Sequence, residues 1–422
     1  MRRLSADEAR VSVLTPDGCG CLESSIVGCL FCCHCCSSER LGSQMAFFPP
    51  RPPTYALTQD VHGKIHARYT DGGSQIVAGA WLAAFDATIV PTKRNSEVVV
   101  LSMDASATVV GDPRDAVTLI ISHGNAVDAA MYVPFGRRLR DALRVNVVLY
   151  DYSGYGGSTG SPGVRDIHAD LEAVVDWCVE RKNVRPAQIV LYGQSIGSVP
   201  TCGYAAKAGE ARDALADATC RPSIRGGTTE AAASRPDARP SVRRSKGPKR
   251  TGPHHSIGGA VLVSPIMSGL HVVSGERPGR CAPSRVFAAC DVFPNHKHAA
   301  KIRCPTLVVH GTEDARVPLR HGETLFETLT RPSDDAAAPR AVCHPEPYWV
   351  SGAGHDDVYE RDPAAFERAL GAFLESVRRA AAASETTRAA ADDDAAPRDG
   401  TERRRARRNG GAPVRVMEMT RD

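Results

Sequence analysis

A chain of 422 residues with 42% hydrophobic content can bury a large core, which excludes disorder throughout and suits one large α/β domain with tails. The formal net charge of +4 is small for this length, and no basic stripe interleaved with aromatics runs through the folded-looking parts, so nucleic acid is not implied as a partner. Of the 14 cysteines, Cys19, Cys21, Cys29, Cys32, Cys33, Cys35 and Cys36 crowd before residue 40 and the other seven stand singly, the usage of a reducing compartment rather than of a disulfide framework.

Residues 1–18 are polar and mixed in charge, with Asp7 and Glu8 where a secretory signal needs a positive start, so no such signal is expected. The apolar run Ile26 to Cys33 ends at His34 after eight residues, far short of the ~20 that a membrane-spanning helix requires. Cysteines clustered among Leu22, Ile26, Val27, Leu30 and Phe31 suit S-acylation instead. Each buried methylene contributes about 0.8 kcal/mol and one short chain binds only marginally, so several acceptor thiols close together are what stable attachment needs. The competing reading is zinc held by Cys32, Cys33, His34, Cys35 and Cys36. Adjacent thiols fit that poorly, because structural zinc ligands come as spaced pairs. Met45 to Pro53, apolar and then rich in proline, reads as an extended connector, and the body begins near Thr54.

Between Lys64 and Val110, short runs such as Ala87 to Val90 and Glu97 to Leu101 predict opening antiparallel strands. From Val117 apolar strands alternate with helices, the signature of a parallel sheet covered on both faces. The strands are expected at Val117–Ser122, Val145–Tyr150, Gln188–Tyr192, Ala260–Ser264, Thr306–His310 and Tyr348–Val350. Asp166 to Glu180 carries Ile167, Leu171, Val174, Val175 and Cys178 at helical spacing. Lys207 to Ile257 is poor in large apolar residues and predicts a disordered insertion, and 380–422 a disordered tail. The expected organisation is an anchor segment and connector over 1–53, a folded domain over 54–379 with that insertion, and the tail.

Gly193-Gln194-Ser195-Ile196-Gly197 follows the strand that ends at Tyr192, which is the pattern of a nucleophile elbow and makes Ser195 the candidate nucleophile. A serine hydroxyl is a poor nucleophile until a base takes its proton, so an acid and a histidine are expected farther along. The strand from Thr306 leads into Gly311-Thr312-Glu313-Asp314, and the strand from Tyr348 into Ser351-Gly352-Ala353-Gly354-His355. His355 is the candidate base, and composition alone does not separate Glu313 from Asp314 as the acid. For the oxyanion, the backbone N–H of Ile196 supplies one donor and that of Asn125, with Ala126 as the alternative, the second. His123 reads as a shaping residue rather than a base, and His310 as structural.

These residues are set in a wider pattern. Ala46-Phe47-Phe48-Pro49-Pro50 after the cysteine cluster, Ser122-His123-Gly124-Asn125-Ala126-Val127-Asp128, Tyr150-Asp151-Tyr152-Ser153-Gly154-Tyr155-Gly156, Tyr192 to Gly197, Phe293-Pro294-Asn295, His310 to Asp314 and Gly352 to Asp357 together resemble the alpha/beta-hydrolase domain-containing protein 17 family, membrane-attached serine depalmitoylases. The resemblance implies an α/β-hydrolase fold, a mostly parallel sheet of about eight strands with helices on both faces. It implies that Ser195, Asp314 and His355 form the charge-relay set, with Asp314 rather than Glu313 as the acid. It also implies palmitoylation of the seven clustered cysteines, residence on the cytoplasmic face of membranes, and S-acylated membrane proteins as substrates. The insertion, extra residues at Ser274–Ser284 and Arg331–His344, and the tail depart from the family pattern and bear on substrate preference. The expected activity is thioester hydrolysis through an acyl-enzyme, with no metal or cofactor implied. A lipid esterase, and an inactive lipid-anchored interaction module, are the alternatives.

Overall fold

The structure is a computed structural model and describes residues 38–70, 82–106, 115–220, 254–274, 290–331 and 344–395. The cysteine cluster, 221–253 and 396–422 lie outside them. Ten strands are drawn: β1 Tyr55–Gln59, β2 Ile65–Tyr69, β3 Asp86–Pro91, β4 Glu97–Met103, β5 Thr118–Ser122, β6 Asn146–Tyr150, β7 Ile189–Gln194, β8 Gly259–Val263, β9 Thr306–Gly311 and β10 Tyr348–Val350. The helices are α1 Ser38–Ala46, α2 Val133–Leu143, α3 Val164–Glu180, α4 Ser198–Cys220, α5 Gly269–Ser274, α6 Asn295–Ala299, α7 Arg320–Thr330 and α8 Pro363–Ala395.

Continuous apolar runs cannot leave either face in water, so they take the middle of a sheet covered on both sides. The order is β10-β9-β8-β7-β5-β6-β4-β3. β4 is antiparallel to β3 and β6, and the remaining pairings are parallel. Alternate residues serve opposite faces. Ile189 and Leu191 of β7 join the core with Ile167, Leu171 and Val174 of α3, whereas Val190 and Tyr192 join Leu139 of α2 and Phe366, Leu370 and Phe373 of α8. Fully burying one such side chain is worth about 1.5–3 kcal/mol. From β5 the chain passes to β6 on one side and returns to β7 on the other, and at such a reversal the loops diverge and leave a crevice at the carboxyl ends of the strands. The elbow lies there.

Four expectations change. α4 continues through Lys207 to Cys220, so the first part of the expected insertion is helix: alanine is the strongest helix former, and Ala205, Ala206 and Ala208 supply a narrow buried face that needs no large side chain. At the other end of the insertion Ile257 is buried. α8 runs to Ala395, well into the expected tail, because Ala380 to Ala383 favours helix in the same way. The Met45–Pro53 connector is seated on the domain, with α1 ahead of it and Phe47 buried edge-on against Phe293. Finally, β1 and β2 form a hairpin of their own, paired from Tyr55↔Tyr69 to Gln59↔Ile65. Contacts divide the chain into one compact unit to Arg378, which holds the sheet, and a second from Arg379.

A deletion of 221–253 closed by a short Gly/Ser bridge is expected to keep the melting temperature within a few degrees of wild type, roughly the tolerance of an insertion poor in apolar residues. A deletion reaching back to Lys207 removes helix and buried Ala208, and should lower it clearly. Thermal denaturation of both variants decides.

Candidate active site

β7 ends in a backbone that few residues tolerate. Ser195 sits at φ +53°, the left-handed region, in the 3₁₀ turn Ser195–Gly197 that leads into α4. The flanking glycines are required by contact. A Cβ on Gly193 would lie 2.4 Å from the Gly197 carbonyl oxygen, and one on Gly197 would lie 2.1 Å from that of Ser122, so elbow and post-β5 loop touch backbone to backbone. The Ser198 hydroxyl donates to the Ser195 carbonyl at 2.6 Å and accepts from the Ile266 N–H at 3.1 Å. Asn295, fully buried, donates to Ser198 Oγ at 3.3 Å and to the Ile266 carbonyl at 2.7 Å. Ser198, Ile266 and Asn295 thus lock the strained turn. The sequence signal for Asn295 was the Phe293-Pro294-Asn295 run, and nothing pointed to Ser198.

The loops after β9 and β10 bring the other two groups to this turn. His355 Nε2 is 2.9 Å from Ser195 Oγ, and its Nδ1 is 2.6 Å from Asp314 Oδ2. The other Asp314 oxygen accepts the Arg316 and Val317 N–H groups at 2.9 and 2.8 Å, which fixes the carboxylate in place. Burial alone would raise the Asp314 carboxyl, but the His310 and His355 imidazoles beside it outweigh that and hold the group well below the usual carboxylate range. An ionised Asp314 only accepts, so His355 Nδ1 carries its proton there, which leaves Nε2 bare to accept from Ser195. Glu313, the neighbouring carboxylate, is solvent-exposed.

His310, read as structural, and His123, read as a shaping residue, are both buried. His310 Nε2 donates to the Val317 carbonyl at 2.7 Å and lies 3.3 Å from Asp314 Oδ2. The His123 ring packs on Tyr152 at 4.2 Å, with Nδ1 2.7 Å from the Gly124 carbonyl.

The two N–H groups read as alternatives for the second oxyanion donor differ in their partners. The Ala126 N–H is taken by the Asn125 carboxamide oxygen at 3.0 Å. Among the described residues no acceptor takes the Asn125 N–H. Ile196 is the second residue of the helical turn, where the first N–H groups have no intrahelical acceptor. A cavity of about 390 Å³ is lined by Asn125 and Gln194, by the apolar Phe135, Tyr192, Val263 and Phe366, and by the charged Arg316, Asp356 and Glu360.

The sheet, the strained serine and the histidine–carboxylate pair are what the α/β-hydrolase architecture consists of. The alpha/beta hydrolase family profile matches residues 119–369. Alpha/beta hydrolase domain-containing protein 17B of Homo sapiens is 31% identical over 341 residues, which are 80% of this chain and 92% of the relative. This chain belongs to the alpha/beta-hydrolase domain-containing protein 17 family. It is a hydrolase of the α/β fold. Alpha/beta hydrolase domain-containing protein aho-3 of Caenorhabditis elegans is equally similar, 31% identical over 82% of this chain and 81% of its own. Among solved structures, a Pyrococcus furiosus esterase is 16% identical, with a TM-score of 0.47 over 79% of this chain and 98% of that one. The elements quoted from the family pattern, from Ser122 to Asp128 through Gly352 to Asp357, all border the carboxyl edge of the sheet. No described helix is long and apolar enough to cross a membrane.

Proposed function

We propose that the protein is a serine thioesterase that removes palmitoyl and related S-acyl groups from cysteines of membrane-associated proteins. The observation that carries a serine mechanism is the continuous hydrogen-bonded line from Ser195 Oγ through His355 to Asp314, on a serine held at φ +53°. Ser195 Oγ attacks the thioester carbonyl carbon while His355 Nε2 takes its proton, and the oxyanion is received by the Ile196 and Asn125 N–H groups. The C–S bond then breaks as His355 returns the proton to the leaving thiolate, freeing the cysteine. Water, deprotonated by His355, attacks the acyl-enzyme and releases the fatty acid, with Ser195 recovering its proton.

Support for an acyl substrate comes from the cavity lined in part by Asn125 and Gln194, which is of ligand size and whose lining includes Phe135, Tyr192, Val263 and Phe366. The protein works at a membrane surface, held there by acyl chains on the cysteine cluster at Cys19, Cys21, Cys29, Cys32, Cys33, Cys35 and Cys36. A fluorophosphonate probe should label wild type and not Ser195→Ala. Acyl-cysteine proteins should then compete for the wild-type site more strongly than lipid esters of the same chain length. Stronger competition by the lipid esters would make the protein a lipid esterase, and no labelling would remove the serine mechanism.

Membrane attachment should survive loss of any one cysteine and fail when most are replaced by serine, because one remaining chain binds only marginally. A four-ligand zinc site would instead be lost with a single ligand. Fractionation of cells expressing single and complete Cys-to-Ser variants, with and without hydroxylamine to cleave thioester-linked chains, distinguishes the two.

A further inference from the structure

Asn125 has a side chain as well as a backbone N–H, and that side chain is bound on every polar atom to groups outside its own loop as well as within it. Its Oδ1 accepts the Phe48 N–H at 3.0 Å, the Tyr155 hydroxyl at 2.7 Å and the Ala126 N–H at 3.0 Å. Its Nδ2 donates to the Ala46 carbonyl at 2.6 Å. The Phe48 N–H also reaches the Tyr155 hydroxyl at 3.0 Å. Two backbone groups of the amino-terminal segment therefore close on one carboxamide, like a third strand pairing with a single side chain.

The segment is itself held. Phe47, between the two contacts, is 6% exposed and packs against Phe293. Ahead of it, α1 is tied to the start of α3 by the Val164 N–H on Ser43 Oγ at 3.2 Å and by Arg165 with Glu39 at 2.8 Å. Behind it, Thr54 binds Asp128, at the far end of the same loop, through its N–H at 2.8 Å and its hydroxyl at 2.5 Å. The loop that carries the Asn125 N–H is thus pinned at its middle and at its far end by residues 46–54.

We infer that the segment Ala46–Phe48 is a positioning element of the oxyanion hole, acting through the Asn125 carboxamide. The inference rests on the serine hydrolase reading above. Donors must stand within a few tenths of an ångström of the developing oxyanion to contribute fully. The loop has no secondary structure to set its place: the Tyr152 and Tyr132 hydroxyls hold its start at His123 and Gly124, and from Asn125 to Asp128, through Ala126 at φ +57°, it is held by the strap. The Ala126 bond to Oδ1 has a second effect: it consumes the rival N–H, so the strap also decides which amide faces the crevice unpaired.

The test uses full-length protein and a water-soluble thioester, so that recruitment to a membrane plays no part. Asn125→Ala keeps the backbone N–H and removes the carboxamide; Phe47→Ala unseats the strap; Phe47→Leu restores its burial. Rates are expressed per active site titrated with a fluorophosphonate, which corrects for any misfolded fraction. Expected are a kcat lowered about 10- to 100-fold in Asn125→Ala and about 10-fold in Phe47→Ala, with KM within about threefold, where loss of a whole donor costs about 10²–10³-fold. Binding of a trifluoromethyl ketone, whose adduct places an oxyanion in the hole, should weaken by the same factors, and Phe47→Leu should recover most of the rate. A kcat per titrated site within twofold of wild type in Asn125→Ala overturns the inference, as does a loss confined to KM. Tyr155→Phe, which removes one of three bonds to Oδ1, should give a smaller loss in the same direction if Phe47→Ala does not fold. Wild type that the probe does not label would overturn the hydrolase reading itself.

Discussion

Ser195→Ala, His355→Ala and the double variant are expected to lose nearly the same thioester turnover, about 10⁶-fold, because members of a hydrogen-bonded triad act as a unit and their losses do not add. The geometry is the reason. His355 Nε2 has one partner to serve, Ser195 Oγ at 2.9 Å, and without either group the other has nothing to activate or to be activated by. Single-turnover rates of the three purified variants with one thioester measure it. If the double variant were slower than either single by the product of their separate losses, two independent mechanisms would be at work and the triad would be dismissed.

Asp314→Asn should lose about 10⁴-fold in kcat while Glu313→Gln stays within about twofold of wild type. An asparagine amide group facing His355 Nδ1 would donate rather than accept, turning the imidazole to the tautomer whose Nε2 already carries a proton and cannot take one from Ser195. The fold should persist in both variants, since Oδ1 can still accept the Arg316 and Val317 N–H groups after the exchange. Glu313 has an exposed side chain, and its backbone N–H is engaged on the Ala353 carbonyl. Equal losses in the two variants would mean that the carboxylates act as a local field rather than through one oriented bond.

What could be read in the sequence divides along physical lines. The six parallel strands were legible to within two residues at each end, because a strand buried on both faces is a continuous apolar run that few other structures use. β1 and β2 were not placed. Each has one buried position, Tyr55 and Ala67, so the hairpin carries no periodic signal strong enough to stand out. The extension of α4 was hidden for a different reason: Ala205, Ala206 and Ala208 look like low-complexity filler, yet a helix lying close to its neighbours needs small residues on the contact face.

The site shows the same division. Ser195 and His355 stand out through their local strand–turn context, while the choice between Glu313 and Asp314 came from family resemblance and is explained by side-chain direction alone. The strap on Asn125 had no local signature, since its partners are 77 and 79 residues away and contribute backbone atoms.

α1 has one more consequence, and it concerns height. A nine-residue helix is about 14 Å long at 1.5 Å per residue, and the two residue steps from Cys36 to Ser38 add at most about 7 Å. Because α1 is tied to the start of α3 through Glu39 and Ser43 and ends on the Asn125 loop, an acyl chain on Cys36 would reach that loop over a span no longer than this sum. The loop beside the nucleophile would then ride within about 20 Å of the headgroups. Thioesters on cysteines close to the bilayer fall inside that radius, and those on domains projecting well beyond it do not, so this hydrolase would sort acylated proteins by elevation above the membrane before any residue of the substrate is read.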